Sequence, residues 1–244
     1  MDLADSDTLV VFDVDEVLIT FDDLILRPCG KHFTPASWKG IYQEELDYLT
    51  SIIWNESKTI LVDPSAPELV NKLVNRGVKV IALTACPTGD FGIIEKIEDW
   101  RLKILKRLNI DFSNTFPKNQ VIYFDDGDKK ERDYPLFKEG ILFIGNGEKT
   151  KGDLLVQFFE EIQWYPSKVI FIDDRMYNLT SVESALNKIK ILYQGYHYKG
   201  MENLPNNFNE QIAEFQFFHL RKEHKWLSDL EAEKKTKHSS PIHQ

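Results

Sequence analysis

Buried runs and amphipathic stripes alternate along this chain. Leu9-Val10-Val11-Phe12 is an uninterrupted apolar run that stops at Asp13, as in a strand covered on both faces. Val78–Leu83 (VKVIAL), ending at Thr84, and Lys168–Ile172 (KVIFI), ending in Asp173-Asp174, repeat the pattern. Helical spacing of apolar residues marks Ser37–Trp54, Pro67–Asn75 (opened by proline and closed by Gly77), Ile93–Leu108, Lys151–Glu161, Ser181–Lys188 and Phe215–Glu233. Gln120–Phe124 and Ile189–Tyr193 read as short strands. Leu136–Ile144, with its Glu-Gly centre, reads as a hairpin or a turn into a strand. Strands alternating with amphipathic helices predict an α/β fold with a mainly parallel sheet.

The pattern also divides the chain. Phe21–Pro35 mixes acids, Gly30 and two prolines and reads as loop. Residues 21–62 are expected to form a small helical cap inserted into a core of 1–20 and 63–233. Asp125–Asp133 is expected to be a mobile polar loop, and 234–244 a disordered polar tail.

Composition narrows the function classes. A chain of 244 residues, 42% hydrophobic and 28% charged, has enough apolar material for a full core. A formal net charge of -9 argues against a nucleic-acid backbone as the main partner. Cys29 and Cys86 are too few for a disulfide framework and fit a reducing compartment. No basic and apolar leader precedes Leu9, and no apolar run is long enough to span a membrane. The expected location is the cytoplasm, or a host cell reached by a non-Sec route. A monomer is expected.

The chemistry gathers at strand ends. Ligands of open α/β sheets bind at the carboxyl ends of the strands. Two acids closing a buried strand, Asp13 and Asp15, need a positive partner, for which a divalent cation is the usual choice. Cys86 lacks the arginine six positions on that a cysteine phosphatase loop requires, since Gly92 stands there. Gly147-Glu148-Lys149-Thr150 has the wrong glycine spacing for a P-loop. His219 and His224 show no metal-ligand spacing. Tyr193, Tyr196, Tyr198, Phe215, Phe217 and Phe218 are expected in the core, with Tyr196-His197-Tyr198 near the active edge.

Taken in order, FDVDEVL, IALTA, TKGDLL and VIFIDDR resemble the four motifs of the haloacid dehalogenase (HAD) superfamily, over nearly the whole stretch from Leu9 to Asn178. The resemblance implies a Rossmann-like three-layer α/β fold with a mainly parallel central sheet and a small helical cap. It also implies a Mg²⁺-dependent phosphohydrolase. Asp13 would be the nucleophile that forms an aspartyl-phosphate, and Asp15 the general acid/base. Thr84 would bind a phosphoryl oxygen, and Lys151 would supply positive charge. Lys149 is the rival for that last role; Lys151 is favoured because it leads directly into a helix. The metal would be held by Asp13, the backbone carbonyl of Asp15, and Asp174, with Asp173 in support. Glu16 and Val17 depart from the commoner motif residues, and Glu16 is expected to face solvent.

FIDDRMYNL, GYHYKG and WLSDLEAE resemble an uncharacterised branch of the superfamily found in intracellular or host-associated bacteria, and some HAD enzymes of such bacteria act on protein phosphotyrosine. A small cap leaves the cleft open to a phosphoprotein side chain, which favours a phosphotyrosine protein as substrate. Small phosphometabolites or nucleotides, phosphoryl transfer to a second hydroxyl, and a non-catalytic binding scaffold are the alternatives.

Overall fold

The computed structural model describes residues 4–116, 121–124, 132–145 and 149–239. Most of the 125–133 stretch and residues 146–148 lie outside them. In chain order the elements are β1 (Thr8–Phe12), β2 (Ile19–Phe21), α1 (Gln43–Glu56), β3 (Thr59–Leu61), α2 (Ala66–Asn75), β4 (Lys79–Thr84), α3 (Ile97–Arg107), β5 (Val121–Tyr123), β6 (Leu136–Lys138), β7 (Ile141–Phe143), α4 (Lys151–Ile162), β8 (Lys168–Asp173), α5 (Met176–Lys188), β9 (Leu192–His197), α6 (Glu210–Glu223) and α7 (Asp229–Ser239). Short 3-10 turns fill the gap between β2 and α1.

The chain forms two compact units. The first comprises Met1–Ile19, Leu61–Asp90 and Lys96–Met201. Its sheet has the order β5-β6-β7-β4-β1-β8-β9. Strands β7, β4, β1, β8 and β9 run parallel, while β5-β6-β7 is an antiparallel meander. Every residue of β1 is buried, which is why its sequence shows no alternation. Leu9 and Val11 face a core built with Leu83, Phe171, Leu155, Phe158 and Val182. Val10 and Phe12, equally buried, point to the opposite face by the two-residue period of a strand. The result is a three-layer α/β arrangement.

Strand register sets the positions of the polar residues at the carboxyl edge. Phe12 is paired with Ala82 of β4 on one side and Ile172 of β8 on the other. One residue further on, Asp13 and Asp173 stand abreast, and the Asp13 N–H donates to Ile172 O at 2.9 Å. Thr84 lies two positions past Ala82, level with the loop that carries Asp15.

The second unit comprises Thr20–Ile60, Phe91–Glu95 and Glu202–Gln244. It is larger than the 21–62 stretch expected as a cap, and it draws on residues expected in the core. Its interior is Ile25, Leu49, Ile52, Ile53, Ala213, Phe217, Leu220 and Trp226. Phe217 meets the rings of Trp38 and Trp226 edge-on at 4.7 and 5.4 Å. Asp23 accepts from Trp226 Nε1 and from the Asp229 N–H, both at 2.9 Å.

Several element boundaries differ from expectation. Helix α1 starts at Gln43 rather than Ser37, because Gly40 has a positive φ of 74° and Ala36–Trp38 is a 3-10 turn. Helix α3 starts at Ile97 rather than Ile93, since Phe91 and Ile94 close a reciprocal turn at 2.8 and 3.0 Å. The last strand is Leu192–His197 rather than 189–193, because α5 runs on to Lys188 and closes through Ile189. The expected 215–233 helix is two helices, broken at His224 in the left-handed conformation. Helix α7 carries the polar run from Lys234 onward to Ser239, so those residues are not a disordered tail; 240–244 lie outside the described residues. Phe218 and Tyr196 are 54% and 43% exposed, outside the core expected for them. Among the described residues no helix is long and apolar enough to cross a membrane.

Candidate active site

Three elements of the first unit deliver charge to one point. Asp13 leaves the end of β1, Asp173 closes β8 beside it, and Lys151 opens α4. A capping box holds that helix start: Thr150 Oγ1 accepts from the Asp153 N–H at 3.2 Å, and Asp153 Oδ2 accepts from the Thr150 N–H at 3.1 Å. Gly152 lets α4 approach α5 closely, because a Cβ there would lie 2.4 Å from Ser181 O. Lys151 Nζ consequently sits between Asp13 Oδ1 at 2.8 Å and Asp173 Oδ2 at 2.7 Å. All three residues are buried.

Asp173 is fully satisfied. Asn178 Nδ2 donates to both of its oxygens at 3.0 Å, and the Arg175 N–H donates to Oδ1 at 2.8 Å. Asp13 Oδ1 also accepts from the Val14 N–H at 2.7 Å. Asp174 differs. Its Oδ1 is buried without a hydrogen-bond partner among the described residues, while Arg175 reaches Oδ2 only at 3.6 Å. The His197 ring pairs with the Asp174 carbonyl through Nε2 at 3.0 Å.

Burial pushes the Asp13 carboxyl up to about 7, although Lys151 beside it pulls the other way. Burial likewise works to lower the Lys151 ammonium, but Asp13 and Asp173 outweigh it and hold the value above the usual lysine range. Asp174 is raised by burial and by Asp173. Ionised, the three carboxylates and one ammonium carry a net charge of -2.

Asp13, Asp173 and Asp174 each offer an oxygen within 4.8 Å of the others. A hard all-oxygen donor set, an orphaned buried oxygen and a double negative charge suit a divalent cation. The residues present therefore fit a metal.

Asp15 and Thr84 adjoin this cluster. Thr84 is fully buried; its Oγ1 accepts from the Cys86 N–H at 3.1 Å and lies 3.5 Å from Asp15 Oδ2. Lys149 points elsewhere, donating to Phe124 O at 2.9 Å and Gln157 Oε1 at 2.8 Å. Of the two lysines, only Lys151 reaches the acids. Glu16, half-buried, closes the Asp15 turn with a φ of 66°. Its N–H donates to Ile19 O at 2.8 Å.

Two residues escaped the sequence. Arg101 Nη2 lies 2.9 and 3.2 Å from the two Asp15 oxygens and 3.8 Å from Cys86 Sγ. It projects from the apolar face of α3, among buried Ile97, Leu102, Ile104 and Leu105. A charged residue on an apolar stripe was the signal available. Asn178, one turn into α5, was likewise unassigned.

FDVDEVL, IALTA and VIFIDDR lie at the carboxyl ends of β1, β4 and β8, and TKGDLL opens α4. Residues 1–233 match the model of a family described as a protein of unknown function, DUF2608. The chain belongs to this family. An uncharacterized protein of Rickettsia bellii is 31% identical over 220 residues, covering 85% of this chain and 73% of its own length. One of Rickettsia felis is 36% identical over 188 residues, covering 75% of this chain and 61% of its own length. Among solved structures, the HAD domain of effector protein Lem4 from Legionella pneumophila is similar with a TM-score of 0.41 and 18% identity, over 94% of this chain and 97% of that one. A haloacid dehalogenase-like family hydrolase from Streptococcus pneumoniae gives 0.41 and 14%, over 81% and 97%.

Proposed function

We propose that this protein is a Mg²⁺-dependent phosphomonoesterase that works through a phosphorylated Asp13. One observation carries the reading: Lys151 Nζ bridges Asp13 and Asp173 at 2.8 and 2.7 Å, beside a buried Asp174 oxygen that has no partner among the described residues. Asp13 and Asp174 would hold Mg²⁺ through their side chains and Asp15 through its backbone carbonyl, with Asp173 anchoring Lys151. The ion, when bound, screens the phosphate charge from the attacking carboxylate.

Lys151 and the Val14 N–H engage Asp13 Oδ1 and leave the second carboxylate oxygen to attack phosphorus. The phosphorus–oxygen bond to the leaving group breaks as the new bond forms, and Asp15 hands its proton to the departing oxygen. Asp15, now a carboxylate, takes a proton from water. That water attacks the acyl phosphate, releasing inorganic phosphate and restoring Asp13. Thr84 Oγ1 donates to a phosphoryl oxygen, and the Lys151 charge offsets the negative charge that builds there.

For the substrate we put protein phosphotyrosine first. Met176 and Tyr177, directly after the DDR turn, are 56% and 65% exposed, and Tyr196 at the end of β9 is 43% exposed. Apolar and aromatic surface beside the carboxyl edge suits an aryl phosphoester.

The test is turnover with Mg²⁺ on a phosphotyrosine peptide, a phosphoserine peptide and a nucleotide panel, with Asp13→Asn as control. The phosphotyrosine peptide is expected to be hydrolysed fastest. Selective hydrolysis of nucleotides would reverse the substrate order. Turnover surviving Asp13→Asn would discard the covalent route, and no turnover on any arm would favour a binding scaffold.

A further inference from the structure

We propose that Arg101 is a positioning residue that holds the Asp15 carboxyl group toward the leaving-group oxygen. The inference rests on the phosphomonoesterase reading, in which Asp15 serves as general acid/base. Asp15 stands on a turn past the end of β1, with its side chain 45% exposed. A carboxyl group in that setting has two free torsions and bulk water as competitor. Proton transfer needs a donor within hydrogen-bond reach of a single atom.

Arg101 supplies the constraint. Its side chain is 7% exposed and its Nη2 lies 2.9 Å from Asp15 Oδ1 and 3.2 Å from Oδ2. The guanidinium is itself held. Helix α3 is pinned at its first turn by Glu98, whose Oε2 accepts from the Gly89 N–H at 2.9 Å and whose Oε1 accepts from Tyr134 Oη at 3.0 Å. Arg101 comes one turn later, stacked near the Trp100 ring at 5.1 Å.

Stability does not explain the residue. Arg101 Nε is buried without a partner among the described residues, and a buried unsatisfied donor destabilises a fold. A leucine at this point of the apolar face would pack without that penalty. The guanidinium's two shortest contacts are to the carboxylate: it orients Asp15 before proton delivery and faces the anion left behind afterwards. The same contact keeps Asp15 in place to receive the proton of water in the second half of the reaction.

The experiment compares wild type, Asp15→Asn, Arg101→Met, Arg101→Lys and the Asp15→Asn/Arg101→Met double variant on aryl phosphates from 2,4-dinitrophenyl to phenyl phosphate. The dinitrophenolate leaves without a proton, whereas phenolate needs one. Asp15→Asn is expected to cut kcat/KM about 100-fold or more toward phenyl phosphate and far less toward the dinitrophenyl ester. Arg101→Met should reproduce that dependence, about 10- to 100-fold toward phenyl phosphate. It should add under about threefold on the Asp15→Asn background, and Arg101→Lys should recover part of the loss.

Thermal unfolding without metal gives a second readout. Asp15→Asn strands the buried guanidinium and lowers the midpoint, and adding Arg101→Met raises it again. Equal losses on all esters, full additivity with Asp15→Asn, or unchanged kinetics for Arg101→Met would overturn the inference while leaving the phosphatase reading intact. Absence of wild-type turnover, or turnover that survives Asp13→Asn, would overturn both.

Discussion

Replacing Lys151 by methionine keeps most of the stem and removes the one cation between Asp13 and Asp173, at 2.8 and 2.7 Å. Stranding buried charge in this way costs about 3–5 kcal/mol. The cost depends on pH, and its sign comes from Asp13. Its folded-state value is raised to about 7 from 3.8. Asp13 therefore favours the fold fully below pH 3.8 and loses that contribution as pH rises through 7. At about 1.4 kcal/mol for each tenfold change in proton affinity, holding Asp13 ionised at pH 8 costs the metal-free fold about 4 kcal/mol. Without Lys151 the carboxyl group rises further, so the deficit against wild type widens above pH 7. At pH 5 the proton on Asp13 does part of the work of the missing ammonium. Urea unfolding with a chelator should give a deficit of about 3–5 kcal/mol at pH 8 and one smaller by about 1.4 kcal/mol at pH 5. A deficit below about 1 kcal/mol at pH 8, or one equal at both pH values, would refute this electrostatic account of the cluster.

Three further outcomes are expected. Asp13→Asn should abolish turnover by about 10⁴-fold or more, yet raise the unfolding midpoint of the metal-free protein at pH 8, because a costly buried charge is gone; a lowered midpoint would count against the raised Asp13 value. Mg²⁺ at about 100 times its dissociation constant should stabilise the wild type by about 2.7 kcal/mol at pH 8. Calorimetry should find weaker binding at pH 6, where protons compete for Asp13. Asn178→Ala removes two 3.0 Å bonds to buried Asp173 and should cost about 2 kcal/mol in chemical unfolding, with Asn178→Asp costing more because it adds a like charge.

The central sheet was legible because strands buried on both faces keep an unbroken apolar run, and β1, β4 and β8 each end that run on a polar residue. Register then converts adjacency in the sheet into adjacency of Asp13 and Asp173. Strands β2 and β3 were invisible, since three residues are too few to display a period. The break at His224 carries neither glycine nor proline, although Ser228 and Glu231, whose side chains pair at 2.7 Å, spell a capping box that announces α7. Spacing alone left Lys149 and Lys151 as rivals. Arg101 escaped because it lies in a helix remote in sequence from the acid it touches, and only the folded chain brings residues 15 and 101 together.

Glu16 has a consequence for how this motif tolerates change. A φ of 66° is costly for any side chain that carries a Cβ, by about 1–2 kcal/mol. The fourth letter of DVDE is thus under a geometric demand. In a saturation library at this codon, survivors ranked by folding yield should run glycine first, then asparagine and aspartate, with valine and isoleucine last. Handedness of the chain limits which residue can come after the second acid.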